Sequence, residues 1–162
     1  MKLSNDINDV VDSTAHIENL LDQIITNFTC PRNDAYLFFW QIMLDSSILS
    51  LGAKIKVVMA ISQECDCKID QNSLHSVISY RNAFAHQRTD SNPTEVNGAS
   101  LDEREHHYML HIIKNSGKTE MKKRSEALDE FNKAFIQAKA SLRPLLEHTT
   151  SIAKEAAAKV AG

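Results

Sequence analysis

The residues best equipped for chemistry lie together in Tyr80-Arg81-Asn82-Ala83-Phe84-Ala85-His86. On a helix, Asn82 and His86 are four apart and share a face. Arg81 flanks that face, and Ala83 and Ala85 leave room beside the polar groups. A strong cation, an amide and an imidazole then border one surface. That set suits a phosphodiester. Arg grips phosphate oxygens through a planar fork of donors, His moves a proton near neutral pH, and Asn orients its neighbours by hydrogen bonding. The same trio also serves, in many helices, only to cap carbonyls or bridge to a neighbour, and spacing alone leaves both readings open.

The elements around this run read as helices. Glycine and proline number 4 and 3, about 4% of the chain where an average protein carries roughly 12%, too few for a sandwich or barrel with its frequent turns. From Ser4 to Phe28, Ile7, Val10, Val11, Ile17, Leu21, Ile24, Ile25 and Phe28 recur on one helical face, with Ser4 or Asn5 as the cap and Cys30-Pro31 as the break. Asp34 to about Ser50 is apolar nearly all round, which predicts a helix at the buried centre. Gly52 marks a joint. Ala53–Ser62 predicts a shorter helix with Ile55, Val58, Met59 and Ile61 inside and Lys54 and Lys56 outside.

Asn72 caps the next predicted helix, Ser73 to about Gln87, with Leu74, Val77, Ile78 and Phe84 on its core side; this is the element that carries Arg81, Asn82 and His86. A polar loop follows over 88–100. Residues of about 106–123 then predict a β-hairpin turning at Asn115-Ser116-Gly117-Lys118. A last long helix starts near Ser125 on Leu128, Phe131, Phe135, Ala138 and Leu142, kinks at Pro144, and ends in a tail, 150–162, with little to bury, expected to fray or pack on a partner. The expected fold class is mostly α: one domain over 1–162, an antiparallel helical bundle with a small hairpin before the C-terminal helix.

Composition closes off several functions. The net charge of −3 excludes coating nucleic acid by bulk charge, while leaving a local basic site open. Lys118, Lys122, Lys123 and Arg124 form the densest basic spot. A solvated face is its plain reading; Lys122, Lys123 and Arg124 are also candidate phosphate contacts. No apolar run is long enough to span a membrane, and MKLSNDINDV has no apolar signal core. Cys30, Cys65 and Cys67, an odd number, suggest reduced thiols in a cytoplasm. No P-loop and no G-x-G-x-x-G is present. His107-x3-His111, with His106 alongside, has metal-ligand spacing but no completing Asp, Glu or Cys, and Cys65-x-Cys67 is tighter than zinc or redox motifs. Neither a metal nor a cofactor is expected. Phe38, Phe39 and Trp40 read as core rather than as a base-stacking platform.

An all-helical chain with R-N-x-x-x-H late in its fourth helix resembles the HEPN superfamily, whose signature is R-x4-6-H, often with a polar residue after the Arg. Here it reads Arg81-Asn82-Ala83-Phe84-Ala85-His86. The likeness covers most of the chain, and Ser50-Leu51-Gly52-Ala53-Lys54-Ile55-Lys56 also looks like bacterial members. The resemblance implies a metal-independent endoribonuclease working as a homodimer, with the motif helices of two subunits meeting. Arg81 and His86 would be catalytic and Asn82 supporting, RNA the substrate, and an antitoxin or other regulatory protein a partner, in a cytoplasmic toxin or defence system. Many members have instead lost activity and bind nucleotide or a partner protein. One departure stands out. In a subgroup, a Tyr two positions after the His is modified by a nucleotidyltransferase antitoxin; here Arg88 occupies that position, which argues against that mode of control.

Overall fold

A computed structural model describes residues 2–86 and 109–161. The expected loop over 88–100, Arg88 itself, and His106 and His107 lie outside the described residues. The described chain is mostly helical, with one two-stranded antiparallel sheet before the last helix. Helix α1 spans Lys2–Thr29, α2 Tyr36–Phe38, α3 Leu51–Glu64 and α4 Gln71–Ala85. Strands β1 (Met109–Ile113) and β2 (Thr119–Lys123) follow, then α5, Arg124–Ala161. None of these helices is long and apolar enough to cross a membrane. The chain divides into two compact units, Met1–Thr14 with Asn72–Ile136, and Ala15–Gln71 with Gln137–Gly162.

In the first unit, α4 buries Leu74, Val77, Tyr80 and Phe84, the three- and four-residue spacing of one helical face. Leu110 and Ile112 of β1 and Ala127, Phe131 and Ala134 of α5 are buried as well. The strands pair Met109 with Lys123 through Ile113 with Thr119. Their turn falls where the sequence places it. Gly117 has φ +81°, a conformation glycine adopts without steric cost, and Lys114 and Lys118 close the turn by a backbone bond of 2.8 Å.

In the second unit, α1 buries Ile17, Leu21, Ile24 and Ile25, α3 buries Ile55, Val58 and Ile61, and α5 buries Ala138, Leu142 and Leu145. Asn27 of α1 donates to the Thr150 hydroxyl of α5 at 3.1 Å. Helix α5 runs through Pro144 and on to Ala161 without a break. Pro144 is exposed, and the bond its missing N–H would have made is lost at the solvent side. Likewise α1 is already helical at Lys2, ahead of Ser4 and Asn5.

Two expectations about burial are overturned. The first concerns Asp34 to Ser50, which is neither one helix nor the buried centre. Helix α2 is a single turn that passes into a π-helical turn, Phe39–Met43, closed by Leu44 N–H to Phe39 C=O at 3.1 Å. Leu44 is its one buried large side chain. The run ends because the Asp45 carboxylate accepts from the Ser47 N–H (2.8 Å) and hydroxyl (2.5 Å), a local bond that competes with helix continuation. Those bonds hold the Asp45 carboxyl below the usual carboxylate range. Ser50, not Gly52, is the joint: its ψ is 155° and its hydroxyl accepts from the Ala53 N–H, capping α3.

The second concerns Lys54, which is inside. Its side chain is 1% exposed, and its ammonium meets Glu18 Oε1 at 2.7 Å and both Asp22 oxygens at 2.9 and 3.0 Å. Glu18 and Asp22 are one turn apart on α1, so both reach one cation. A buried ammonium needs such partners to stay charged. Burial acts to lower the pKa of Lys54, but the two carboxylates outweigh it and hold the pKa above its ordinary value. Asp22 moves up, because burial costs its carboxylate more than Lys54 returns.

At the other end of α3, the chain turns by a Schellman motif: Cys67 N–H bonds Ser62 C=O at 2.9 Å and Asp66 N–H bonds Gln63 C=O at 3.2 Å. Asp66 takes the left-handed conformation, φ 48°.

Lys54→Met is expected to destabilise the protein by about 3 kcal/mol, because it strands two like charges in a largely buried site. The sign of its pH dependence follows from Asp22. A carboxyl whose folded pKa is raised binds its proton more tightly folded than unfolded, so its penalty is present at neutral pH and relieved as pH falls. Without Lys54 that penalty grows. Denaturant unfolding should therefore show a deficit that is largest at neutral pH and shrinks as pH falls through the carboxylate range; an equal deficit at both ends contradicts the account.

Candidate functional site

Helix α4 presents the motif because its other face is clamped. The ring of Tyr80 is buried, and a buried phenol needs a partner for its hydroxyl. It donates to Glu130 Oε2 of α5 in a short hydrogen bond. The Lys122 ammonium of β2 donates to both Glu130 oxygens at 2.5 Å and lies 3.5 Å from the Tyr80 oxygen. One carboxylate thus joins α4, the hairpin and α5. Glu130 is held below the usual carboxylate range by its bonds from Lys122 and Tyr80. Lys122 is held up by its bond to Glu130. Burial and the neighbouring Glu130 push the Tyr80 hydroxyl up to about 12.

One turn further along, Phe84 lies under the Arg124 guanidinium, 5.2 Å from the ring centroid. Arg124 is 4% exposed and its Nε donates to Asp6 Oδ2 of α1 at 3.1 Å. A cation stacked on an aromatic ring and paired with a carboxylate is a strong tie. Leu74, Val77, Tyr80 and Phe84 therefore fix the rotation of α4, which leaves Asn82 and His86 exposed and Arg81 half-buried.

On that outer face, Arg81 Nη1 donates to Asn82 Oδ1 at 3.2 Å. Asn82 thereby steadies the guanidinium of its neighbour. The His86 backbone N–H bonds Asn82 C=O at 2.9 Å, which keeps His86 in helical register just beyond Ala85. The three residues singled out by spacing do share the solvent side of one helix end. A guanidinium held by an amide and an imidazole open to solvent can together bind an anion and move a proton.

The basic spot separates into different environments. Lys122 is spent on Glu130 and Tyr80, and Arg124 on Asp6 and Phe84. Lys123 is exposed on β2, and Lys118 is exposed at the turn, 3.9 Å from Glu120. Glu120 also meets Lys114 at 3.2 Å and Lys122 at 3.6 Å. His111 is exposed on β1 opposite Met121. Among the described residues no three His, Cys, Asp or Glu side chains group so as to hold a metal ion. Cys30, Cys65 and Cys67 are free and half-buried.

Sequence reasoning missed Tyr80, Glu130 and Asp6. Tyr80 carried a signal, since its spacing of three from Val77 and four from Phe84 puts it on the buried face. Glu130 and Asp6 carried none, since each is recognised only by the cation it meets.

No protein-family model, no curated protein and no solved structure matches this chain.

Tyr80→Phe removes the donated hydroxyl and is expected to cost about 1 kcal/mol. It also changes the alkaline limb. A phenol with a raised folded pKa keeps its proton longer folded than unfolded, so the stability it confers is full below the ordinary value of 10.0 and is lost as pH rises toward about 12. Stability of the wild type should fall across that window, and Tyr80→Phe should flatten the fall. An ultraviolet phenolate titration should lose its late component in the variant.

Proposed function

We propose that this chain is a metal-independent endoribonuclease of the HEPN type, a cytoplasmic toxin or defence effector that works as a homodimer with two motif helices bordering one groove. The observation that supports this reading most is the placement of Arg81, Asn82 and His86. They lie together on the outer face of α4, with Asn82 bonded to Arg81 and the opposite face of the helix anchored by Tyr80 and Phe84.

In this reading, His86 takes the proton from a ribose 2′-hydroxyl or gives one to the leaving 5′-oxygen. The 2′-oxygen attacks the adjacent phosphorus, and the bond from phosphorus to the 5′-oxygen breaks. Arg81 stabilises the charge that develops on the phosphorane oxygens, and Asn82 orients Arg81. The products are a 2′,3′-cyclic phosphate and a 5′-hydroxyl. Of the candidate phosphate contacts Lys122, Lys123 and Arg124, Lys123 is the one left to meet RNA phosphates.

The test is cleavage of total tRNA and of a mixed mRNA pool by purified protein in EDTA, with product ends mapped. The wild type should cut under chelation and leave the stated ends. His86→Ala and Arg81→Ala should each lose activity by at least a factor of 100, the scale of one general acid–base group or one charge-stabilising donor. Asn82→Ala should lose less than either. Equal cutting by wild type and both variants would sink the assignment. Silence of a folded wild type on both pools would favour a module that binds nucleotide or a partner protein.

A further inference from the structure

The polar line on the outer face of α4 does not begin at Asn82. His75, Ser79, Asn82 and His86 follow one another at intervals of four, three and four, the spacing that keeps side chains in file along a helix. At about 100° per residue the four fall within a sector of about 60°. That sector lies opposite Leu74, Val77, Tyr80 and Phe84, which are buried. Helix α4 runs unbroken over Gln71–Ala85, and the bond of 2.9 Å from the His86 N–H to the Asn82 C=O carries its register one residue further. The helix itself therefore makes the line continuous. From His75 to His86 it is about 16 Å long, at about 1.5 Å per residue.

Charge is the first guide to what lies along it. From Gln71 to His86 there is no carboxylate. The titratable side chains on or beside the line are His75, Arg81 and His86, one fixed cation and two imidazoles able to donate hydrogen bonds. The nearest acid in sequence, Asp70, stands ahead of the helix. Such a face favours an anion.

Unused bonding capacity is the second guide. Among the described residues, no hydrogen bond or ion pair engages the His75 imidazole, the Ser79 hydroxyl or the His86 imidazole. Ser79 is 8% exposed and His75 is half-buried, whereas His86 is open. A hydroxyl as shielded as that of Ser79 is ordinarily hydrogen-bonded, and a bound strand would supply its partner. Length is the third guide. Phosphates of one strand in a duplex advance about 3.4 Å per step, so the line outruns the one phosphodiester that Arg81 and His86 would serve. A row of donors of this kind positions a sugar–phosphate backbone rather than reading its bases.

We infer that His75 and Ser79 form a subsite for the RNA strand next to the bond that is cut, donating to phosphate and ribose oxygens of the nucleotides on one side of it. The inference rests on the ribonuclease reading and deepens it. The substrate is a strand of several nucleotides laid along α4, and His75 and Ser79 bind it without touching the reacting atoms.

The test uses the full chain and an oligonucleotide of about ten nucleotides, within the usual span of a single-strand site, carrying the cut sequence mapped on the RNA pools. His75→Ala should raise KM roughly two- to tenfold, the scale of one hydrogen bond, with kcat unchanged. His75→Lys should restore KM, which a packing role would not allow. Ser79→Ala should raise KM on the same scale. Its melting temperature should be unchanged or higher, because a shielded hydroxyl without a partner adds no stability, so this variant keeps the fold in hand. Wild-type KM in both alanine variants, with His86→Ala inactive, overturns the inference and leaves the ribonuclease reading standing. A fall in kcat at constant KM overturns it too. If the wild type does not cut, fluorescence anisotropy of the labelled oligonucleotide takes over. Binding that weakens in His75→Ala and Ser79→Ala then supports the subsite without the cleavage, and a wild type that neither cuts nor binds overturns both.

Discussion

The Glu130 carboxylate is the point on which the first unit turns. It accepts from a phenol on one helix and an ammonium on a strand, and it sits on a third element. The phenol is buried, while the lysine and the glutamate keep 21% and 42% of their side-chain surface in water. Together they satisfy one another. Because Tyr80 immediately precedes Arg81, whatever fixes Tyr80 also fixes the direction in which Arg81, Asn82 and His86 leave the helix. The arrangement is a case of preorganisation, in which side chains of proposed chemical use sit on an element whose rotation other contacts have set.

The second unit solves a related problem differently. Lys54 has given up solvent for two carboxylates spaced one helical turn apart. Such a triad adds little stability over apolar packing, since desolvation offsets most of the attraction. Its physical effect is on register. Glu18 and Asp22 can both reach Lys54 only at one rotation of α1 and one longitudinal position of α3, a discrimination that Leu, Ile and Val contacts along the same helices make less sharply.

Much of this was legible in the residues. The turn at Gly117, the face of α4 and the stripe along α5 all follow from local rules, because period and turn chemistry are properties of a few neighbouring positions. Lys54 was misread although its pattern was present: it lies four before Val58 and seven before Ile61, on their stripe, and charge type was allowed to outweigh spacing. Tyr36–Met43 was misread for the opposite reason. Hydropathy says that a segment prefers to leave water; it does not say that enough neighbours exist to surround it. Lys122 and Arg124 looked like one basic spot because they stand two positions apart in sequence. Their partners lie far apart: Glu130 is 8 positions from Lys122, but Asp6 is 118 positions from Arg124, and a charge whose counter-charge is that remote in the chain cannot be told from a solvated one.

The division of the chain has a consequence for genetic dissection. Each compact unit is assembled from two separated stretches; of the three boundaries, two fall inside α1 and α5 and the third at the first residue of α4. No single deletion from either terminus yields one unit whole. Removing the first 14 residues takes Val10 and Asp6 from one unit while cutting the helix that carries Glu18 and Asp22 in the other. Stopping the chain before Gln137 likewise strips Leu142 and Leu145 from the second unit and ends the first at a broken helix. Truncation series, the usual way to map activity onto a region, would therefore report loss everywhere. Point substitution is the route by which the two halves of this molecule can be told apart.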